Sequence, residues 1–498
     1  MSEARRTYRL NPPDRTGWIL GLGGPQVVAL GASLVAGVLV LQAGGPVQLA
    51  AVPLCLAAVL ALGRFGGRSL LEWVPALWRW WRSGRSSTGP WLAPLAPLNR
   101  PPAHSPPLPP PLDTQVILSV GEDEATTATG IAHDPDAGTY AATLRVSGRQ
   151  FALVERGDQE DLLGLWGDAL ATFCREAGPV VEVRWSEWAA PAGMEEQHSY
   201  LAEHMIDDPS DPAVVSYRQL LRTAAPVATR HEVLVTVVVS APRVRVGARH
   251  QGDRQVAVVE VLVEELRLLR RRLEGAGLAT SAPLSPAELA RALRVRLDPG
   301  SIATLDQRGR SLGDRAGLVA PGDGGPLAAQ AAWGHWRVDG SFHRAFWFRE
   351  WPRFEVGPTW MSDILLYGGA VRTVAMSYLP VSPRVSHRTV TRQAAKLESD
   401  AEHRRKTGFR VGAHHRRAAR AVDEREEELV AGYAELEYVG LVAVAAPDLE
   451  TLERACAEVV QLSAGAGVEL RPLDGRHPAG VAACLPLARG VAAVVLAV

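Results

Sequence analysis

Residues 26–62 read QVVALGASLVAGVLVLQ, AGGP and VQLAAVPLCLAAVLAL, two apolar runs joined by a short break. Neither run contains an ionised side chain. A helix rises about 1.5 Å per residue, so roughly 20 apolar residues cross a hydrocarbon core about 30 Å thick. The two runs with their apolar flanks therefore predict a hairpin of two transmembrane helices. A buried core hairpin of a soluble domain is the alternative.

Arginines flank this hairpin on both sides and predict its orientation. Residues 1–25 contain four of them, and five more follow between Arg64 and Arg85, whereas the turn between the runs has no charge. Positive charge stays on the cytoplasmic side of a membrane. The pattern predicts a multi-pass protein of the inner (cytoplasmic) cell membrane, with both termini and the soluble part in the cytoplasm.

The segment after the hairpin, SLLEWVPALWRWWR at residues 69–82, interleaves tryptophan with arginine. Amphipathic rings and guanidinium groups are favoured in the lipid headgroup layer, which predicts a helix lying at the membrane interface. The predicted interfacial residues are Trp73, Trp78, Trp80, Trp81, Arg79 and Arg82. The alternative is an ordinary amphipathic helix that packs on the soluble domain. Residues 1–86 are interpreted as the membrane anchor.

The overall balance of charge and cysteine excludes several classes of protein. The formal net charge is −1, and the part after residue 86 is mildly acidic, so direct nucleic-acid binding is not expected. Four widely separated cysteines form no CxxC pair, which indicates neither a disulfide framework nor a zinc site.

The rest of the chain divides by composition. Residues 87–112 are a proline-rich linker, with ten prolines from Gly89 to Leu112. This composition predicts a stiff extended spacer, or alternatively a ligand for an aromatic groove. Strands and helices then alternate, which predicts an α+β region of two lobes. These are lobe 1 at residues 113–303, a loop at 304–326, and lobe 2 at 327–498 with a long charged helical section.

Several local patterns within the lobes are clear. HEVLVTVVVS, residues 231–240, is the strongest predicted strand, and residues 255–274 carry an apolar stripe at helical spacing. Ser285 before Pro286 predicts a helix cap, and Asp339 with Gly340 predicts the turn of a β pair.

No motif for chemistry is present in the sequence. Neither of the two lysines is preceded by the glycines of a phosphate-binding loop, and no GxSxG or HExxH occurs. We therefore expect no enzyme activity, no cofactor and no metal. The basic run from Arg404 to Arg420 is a candidate lipid or nucleic-acid patch, or simply a solvated helix face.

Two parts of the sequence resemble known secretion proteins. YRLNPPDRTGWILGLGGPQ before the hairpin resembles PrgI-type membrane subunits of conjugation (type IV secretion) machines, in particular large actinobacterial proteins with a cytoplasmic part. YRQLLRTAAPVATRHEVLVTVVV, REWPRFEVGPTWMSDILL and ELVAGYAELEYVGLVAVAAPDLETLERA resemble the non-catalytic N-terminal region of conjugation ATPases. The motor domain of those ATPases has no counterpart here, so no catalytic residue is carried over.

The resemblance implies a non-enzymatic structural component of a conjugation-like secretion machine that docks a separate P-loop motor ATPase. Its expected partners are membrane lipid and other secretion-system membrane proteins, and it is expected to be an oligomer in the assembled machine. A type VII secretion membrane subunit of the EccE kind is one alternative. A membrane-tethered enzyme with an unrecognised site is another.

An aromatic run in lobe 2 is the predicted partner-binding surface. GSFHRAFWFREW is too rich in aromatic residues for one face of a β pair to bury them all. The predicted partner-binding residues are Phe346, Trp347, Phe348 and Trp351. Because neighbours in a strand alternate sides, Phe346 and Phe348 share one face and Trp347 lies on the other. The alternative is that the protein's own helices cover both faces.

Overall fold

The protein is described by a computed structural model over residues 24–65, 68–71, 73–74, 77–78, 80–81, 90–94, 105–121, 128–148, 151–192, 195–204, 208, 210–224, 228–245, 254–313, 317–406, 410 and 412–491. Its helices are α1 (Gly24–Gln42), α2 (Val47–Leu62), α3 (Arg156–Ala171), α4 (Glu195–His204), α5 (Pro212–Ala224), α6 (Arg254–Gly275), α7 (Pro286–Leu297), α8 (Ile302–Leu312), α9 (Ser362–Leu365), α10 (Pro383–Lys406), α11 (Ala413–Val430), α12 (Leu449–Gly465) and α13 (His477–Cys484). Its strands are β1 (Arg64–Phe65), β2 (Arg68–Ser69), β3 (Trp91–Leu92), β4 (Val116–Val120), β5 (Thr129–Asp134), β6 (Thr139–Ser147), β7 (Val180–Pro191), β8 (Thr229–Ser240), β9 (Ala279–Pro283), β10 (Ala328–Ala331), β11 (Trp336–Val338), β12 (Ser341–Glu350), β13 (Val371–Pro380), β14 (Leu436–Ala446) and β15 (Glu469–Pro472).

In the part of the chain that the structure describes, one 13-stranded antiparallel sheet connects most of the strands. Its order is β3-β10-β11-β12-β14-β13-β7-β8-β6-β5-β4, with β15 also paired to β12 and β9 to β6. The two predicted lobes meet where β13 pairs with β7 over seven residues, for example Met376 opposite Trp185. The lobes are therefore halves of a single sheet, and the exact domain boundaries stay a prediction.

The two halves repeat the same arrangement around the β7–β13 pair. Read outward from that pair, the strand order is β7-β8-β6-β5-β4 on one side and β13-β14-β12-β11-β10 on the other. In the first half, α6 is followed by the short strand β9, which pairs with β6. In the second half, α12 is followed by the short strand β15, which pairs with β12. Each half also inserts two helices between its two central strands, α4 with α5 and α10 with α11. The sequence predicted only that strands and helices alternate in two lobes, and the structure shows that the two halves share one arrangement of strands.

Helices cover both faces of the sheet. On one face α3 and α6 pack on β6, β7 and β8, while α9 and α12 pack on β12, β13 and β14. On the other face α7 and α13 fill a core shared by both halves. Successive residues of β8 face opposite cores: Val237 packs on the α6 side and Val238 on the α7 side. A strand buried on both faces is almost continuously apolar, as this one is from Val233 to Val239, where Thr236 is the one polar residue.

Local sequence signals explain how the main elements begin and end. The Ser285 hydroxyl accepts from the Glu288 backbone N–H, and the Glu288 carboxylate accepts from that of Ser285, so the predicted cap of α7 is a complete capping box. Asp339 has φ 47° at the turn between β11 and β12, where the sequence predicted a turn. These two predictions are confirmed.

The N-terminal hairpin forms, but the prediction of two transmembrane helices is wrong. In the described part of the chain, no helix combines the length and the apolar character needed to cross a membrane. Helix α2 has 16 residues, which rise about 24 Å against a hydrocarbon core about 30 Å thick. The fold is instead a large antiparallel sheet with helices, and the multi-pass localisation loses its structural basis. The two helices approach closely at Gly37, where a Cβ would lie 2.9 Å from the Ala50 carbonyl oxygen.

Part of the predicted linker packs on the sheet. Leu108 and Leu112 are buried in the shared core beside α7, and the Ile117 backbone N–H donates to the Ser105 hydroxyl at 3.0 Å. Strand β3 pairs with β10 at the sheet edge. Residues 95–104 lie outside the described part. The segment from Ser105 onward is therefore part of the folded unit rather than a free spacer.

Candidate functional site: an arginine-lined cavity

A cavity of about 320 Å³ lies between the edge of β6, β7 and β8 and the helices α7 and α8. It is lined by Arg145, Val146, Ser147, Trp188, Arg230, His231, Glu232, Val233, Arg291, Val295 and Ile302. The lining therefore combines guanidinium groups with an apolar wall. Helix α7 holds its side of the cavity because its opposite face is anchored in the shared core by Leu289 and Leu293.

Two arginines of the cavity share one carboxylate. Asp306 on α8 accepts from Arg230 at 2.6 Å through Oδ2 and from Arg291 at 2.6 Å through Oδ1. The Arg291 Nε also donates to the Gly317 carbonyl at 3.0 Å. The Asp306 carboxylate thus connects α8 to β8 and α7, and it holds both guanidinium groups at the cavity.

A second carboxylate is shared in the same way. Glu232 on β8 accepts from Arg145 Nε at 3.0 Å, and Arg296 Nη2 lies 2.8 Å from its other oxygen. Burial raises the pKa of Glu232, but the charges of Arg296 and Arg145 outweigh it and hold the pKa below its usual range. Glu232 is therefore ionised at neutral pH. Arg145 also reaches Glu288 at 3.5 Å.

Trp188 forms the deep wall of the cavity. Its side chain is buried, and the Arg296 guanidinium carbon lies 5.5 Å from the centroid of its ring. Among the described residues no acceptor lies within hydrogen-bond reach of its indole Nε1–H. The N–H of a buried indole is normally hydrogen-bonded, so this donor is available to a ligand.

The cavity is connected to the centre of the sheet. The His231 Nδ1 lies 2.6 Å from Oε1 of Glu187, and the other oxygen of that carboxylate accepts from Arg372 at 2.5 Å. Glu187 is on β7 and Arg372 on β13, so this chain of contacts joins the two halves of the protein. The arrangement as a whole can bind and orient an anion.

The predicted membrane-interface residues occupy two environments. The ring centroids of Trp73 and Trp80 lie 6.0 Å and 5.7 Å from that of Trp333, between β10 and β11. Trp78 and Trp81 are exposed and contact each other at 5.5 Å. Arg79 and Arg82 lie outside the described residues. One edge of this segment packs on the folded domain, and a role at a membrane interface stays a prediction.

The predicted partner-binding residues lie mainly inside the protein. Phe346, Phe348 and Trp351 are buried in the core under α12, and Trp347 points to the opposite face, where it is partly buried against the shared core. The alternation is as predicted, and the protein's own helices α12 and α13 cover both faces. Partner binding by these four residues stays a prediction.

Few signals in the sequence point to the cavity. Arg145, Arg230 and Glu232 stand inside or at the start of otherwise apolar strands, and charges in that position could have marked a polar site. Arg291 and Asp306 are ordinary residues of amphipathic helices in sequence. Only the packing of α7 and α8 over the end of β8 brings the charges together.

Comparison with known proteins relates this part of the chain to a secretion-system component. A family model described as EccE, putative type VII ESX secretion system translocon, matches residues 227–348, about a quarter of the chain. No curated protein matches. The matched range runs from β8 into β12 and contains seven of the eleven residues that line the cavity. This match favours the type VII alternative over the conjugation-type prediction.

Proposed function

We propose that the protein is a non-enzymatic subunit of a type VII-like secretion machine. The observation that carries this proposal is the family match over residues 227–348. That range spans the two halves of the sheet and cannot fold apart from the rest, because β8 and β12 both pair with strands outside it. The likeness therefore concerns the central architecture rather than a detachable module.

A structural role accords with the way the protein is built. A single sheet joins both halves, and buried ion pairs such as Arg372 with Glu187 cross the junction. Such a sheet resists bending between its halves and suits a platform on which other subunits assemble. The sequence has no phosphate-binding loop, so we propose that a separate motor ATPase supplies the energy for transport.

The N-terminal hairpin is the proposed attachment point within the machine. Leu34, Leu39, Leu49 and Leu56 are each more than half exposed, and the hairpin carries no ionised side chain. An exposed apolar surface of this extent marks a contact site. We propose that apolar helices of another secretion subunit cover the hairpin. Small residues of the hairpin, such as Gly31, allow those helices to approach closely.

Deleting the gene should abolish export of the WXG-type substrate of the machine, and the wild-type gene should restore export. Leu56→Arg should fail to restore it, because a guanidinium group cannot be desolvated at an apolar contact without a partner. Leu153→Arg, at a similarly exposed leucine on the sheet domain, is the matched control and should restore export. Export is measured as substrate in the culture medium, with equal cellular levels of both variants. Normal export from the deletion strain would contradict the proposal.

A further inference from the structure

We propose that the cavity between β8, α7 and α8 binds a small oxyanion, a phosphate or carboxylate, that carries an apolar group. The proposal goes beyond the secretion role, and it is carried by the charge balance, the unused donors and the wall of the cavity.

The charge balance at the cavity favours an anion. Four guanidinium groups share three carboxylates: Asp306 is bridged by Arg230 and Arg291, while Glu232 and Glu288 face Arg145 and Arg296. Counted over the described residues, one positive charge is thus left over in a partly enclosed space, where water screens it less than at an open surface. A bound phosphate or carboxylate would balance it.

The arginines at the cavity retain hydrogen-bond donors. A guanidinium group has five N–H donors in a planar fork. Arg230 uses Nη1 on Asp306, and Arg291 uses Nε and Nη2 on Gly317 and Asp306. Arg145 uses Nε and Nη1 on Glu232 and Glu288. Within the part of the chain that the structure describes, the other N–H groups of these three side chains remain for a ligand, and guanidinium pairs bind oxyanions in a bidentate manner.

The remaining wall selects for an apolar group on the same ligand. Val295 and Ile302 contribute apolar side chains to the cavity beside the charges, and Trp188 closes it. The indole N–H of Trp188, which has no acceptor among the described residues, offers one more donor to a ligand oxygen. A volume of about 320 Å³ lies at the lower end of the range for small-molecule sites. The space suits a compact molecule with one anionic group, such as an aryl phosphate or aryl carboxylate.

Phenyl phosphate, benzoate, inorganic phosphate and benzyl alcohol are the probes for titration calorimetry on the purified full-length protein. Phenyl phosphate or benzoate should bind with a dissociation constant of about 1 mM or tighter, and inorganic phosphate about tenfold more weakly. Whichever of the two aryl probes binds more tightly identifies the anion class. Benzyl alcohol, which lacks the charge, should bind more weakly than both.

Variants locate the binding. Arg230→Gln with Arg291→Gln should weaken binding of the better aryl probe by about tenfold or more, because two charge-assisted contacts are lost. Ser147→Trp, at the exposed rim, should block the cavity without touching the ion pairs. Arg267→Gln removes an exposed guanidinium on α6 that pairs only locally with Glu264, and it should change nothing.

Three results would overturn the proposal. The first is no binding of either aryl probe at about 10 mM, which is tenfold above the expected dissociation constant. The second is binding of inorganic phosphate as tight as that of the better aryl probe. The third is unchanged binding of that probe in both the double variant and Ser147→Trp. If the double variant does not fold, binding of the aryl probe is measured on Arg230→Lys and Ser147→Trp instead. Arg230→Lys keeps the charge beside Asp306 but loses the fork, so binding should still weaken.

Discussion

Replacing Arg184 by Met is expected to lower the free energy of unfolding by about 3–5 kcal/mol. Arg184 is fully buried, and its Nε donates to Oε1 of Glu182 at 2.8 Å. Its other nitrogens donate to the carbonyls of Leu485 at 2.6 Å and Arg489 at 2.9 Å. The substitution leaves a buried carboxylate without its counter-charge and loosens the segment that follows α13. Denaturant unfolding followed by circular dichroism measures the loss.

Two further variants test whether the uncompensated charge is the cause. Arg184→Met combined with Glu182→Met should recover part of the stability, since removing both members of a buried ion pair is often neutral. Arg267→Met, at a pair where both side chains are more than half exposed, should cost less than about 1 kcal/mol. A loss for Arg184→Met as small as that of the exposed control would contradict the role of the buried pair.

Acid is expected to unfold the protein through two buried histidines. Burial lowers the pKa of His343 to about 4, against an opposing hydrogen bond to the Leu297 carbonyl at 2.8 Å. Burial, assisted by the charge of Arg344, lowers the pKa of His477 to about 3. Both pKa values lie below the value of 6.5 in the unfolded chain, so the unfolded state takes up protons first. The stabilisation is complete above about pH 6.5 and is lost as the pH falls toward 4.

The slope of unfolding free energy against pH measures this effect. Nearly two extra protons in the unfolded state give a contribution of at most about 2.7 kcal/mol per pH unit between pH 6 and pH 4.5. His343→Gln keeps a donor for the Leu297 carbonyl and should reduce the slope by about 1.4 kcal/mol per pH unit. His477→Gln should act similarly, by removing the second proton. An unchanged slope in both variants would assign the acid sensitivity to carboxylates instead.

Elements with strong local signals could be predicted from the sequence. β8 and α6 agree with the predicted ranges within two residues, because a run rich in β-branched residues and an apolar helical stripe leave little choice of conformation. The capping box at Ser285 is likewise local. The meeting of the two halves at β7 and β13 was not predictable, since these strands lie almost two hundred residues apart and pair through backbone groups that every sequence offers.

The errors at the N-terminal end have a common physical origin. Apolar composition predicted two membrane spans, but composition does not fix where a helix ends, and α2 stops at Leu62. In the same way, the prolines predicted a stiff extended spacer, although Leu108 and Leu112 supply enough apolar surface to hold the segment in the core. The cavity depends on helix packing, and in the sequence only the charges of Arg145, Arg230 and Glu232 within or beside apolar strands pointed to it.

Purification of the tagged full-length protein from its native cells tests the central claim most directly. After gentle detergent extraction, quantitative mass spectrometry should find the motor ATPase and membrane subunits of a type VII secretion machine at amounts close to that of the tagged protein. Leu56→Arg should release these partners, and Leu153→Arg should retain them. Recovery of a conjugation-type motor and its subunits, or of the tagged protein alone, would contradict the proposed function.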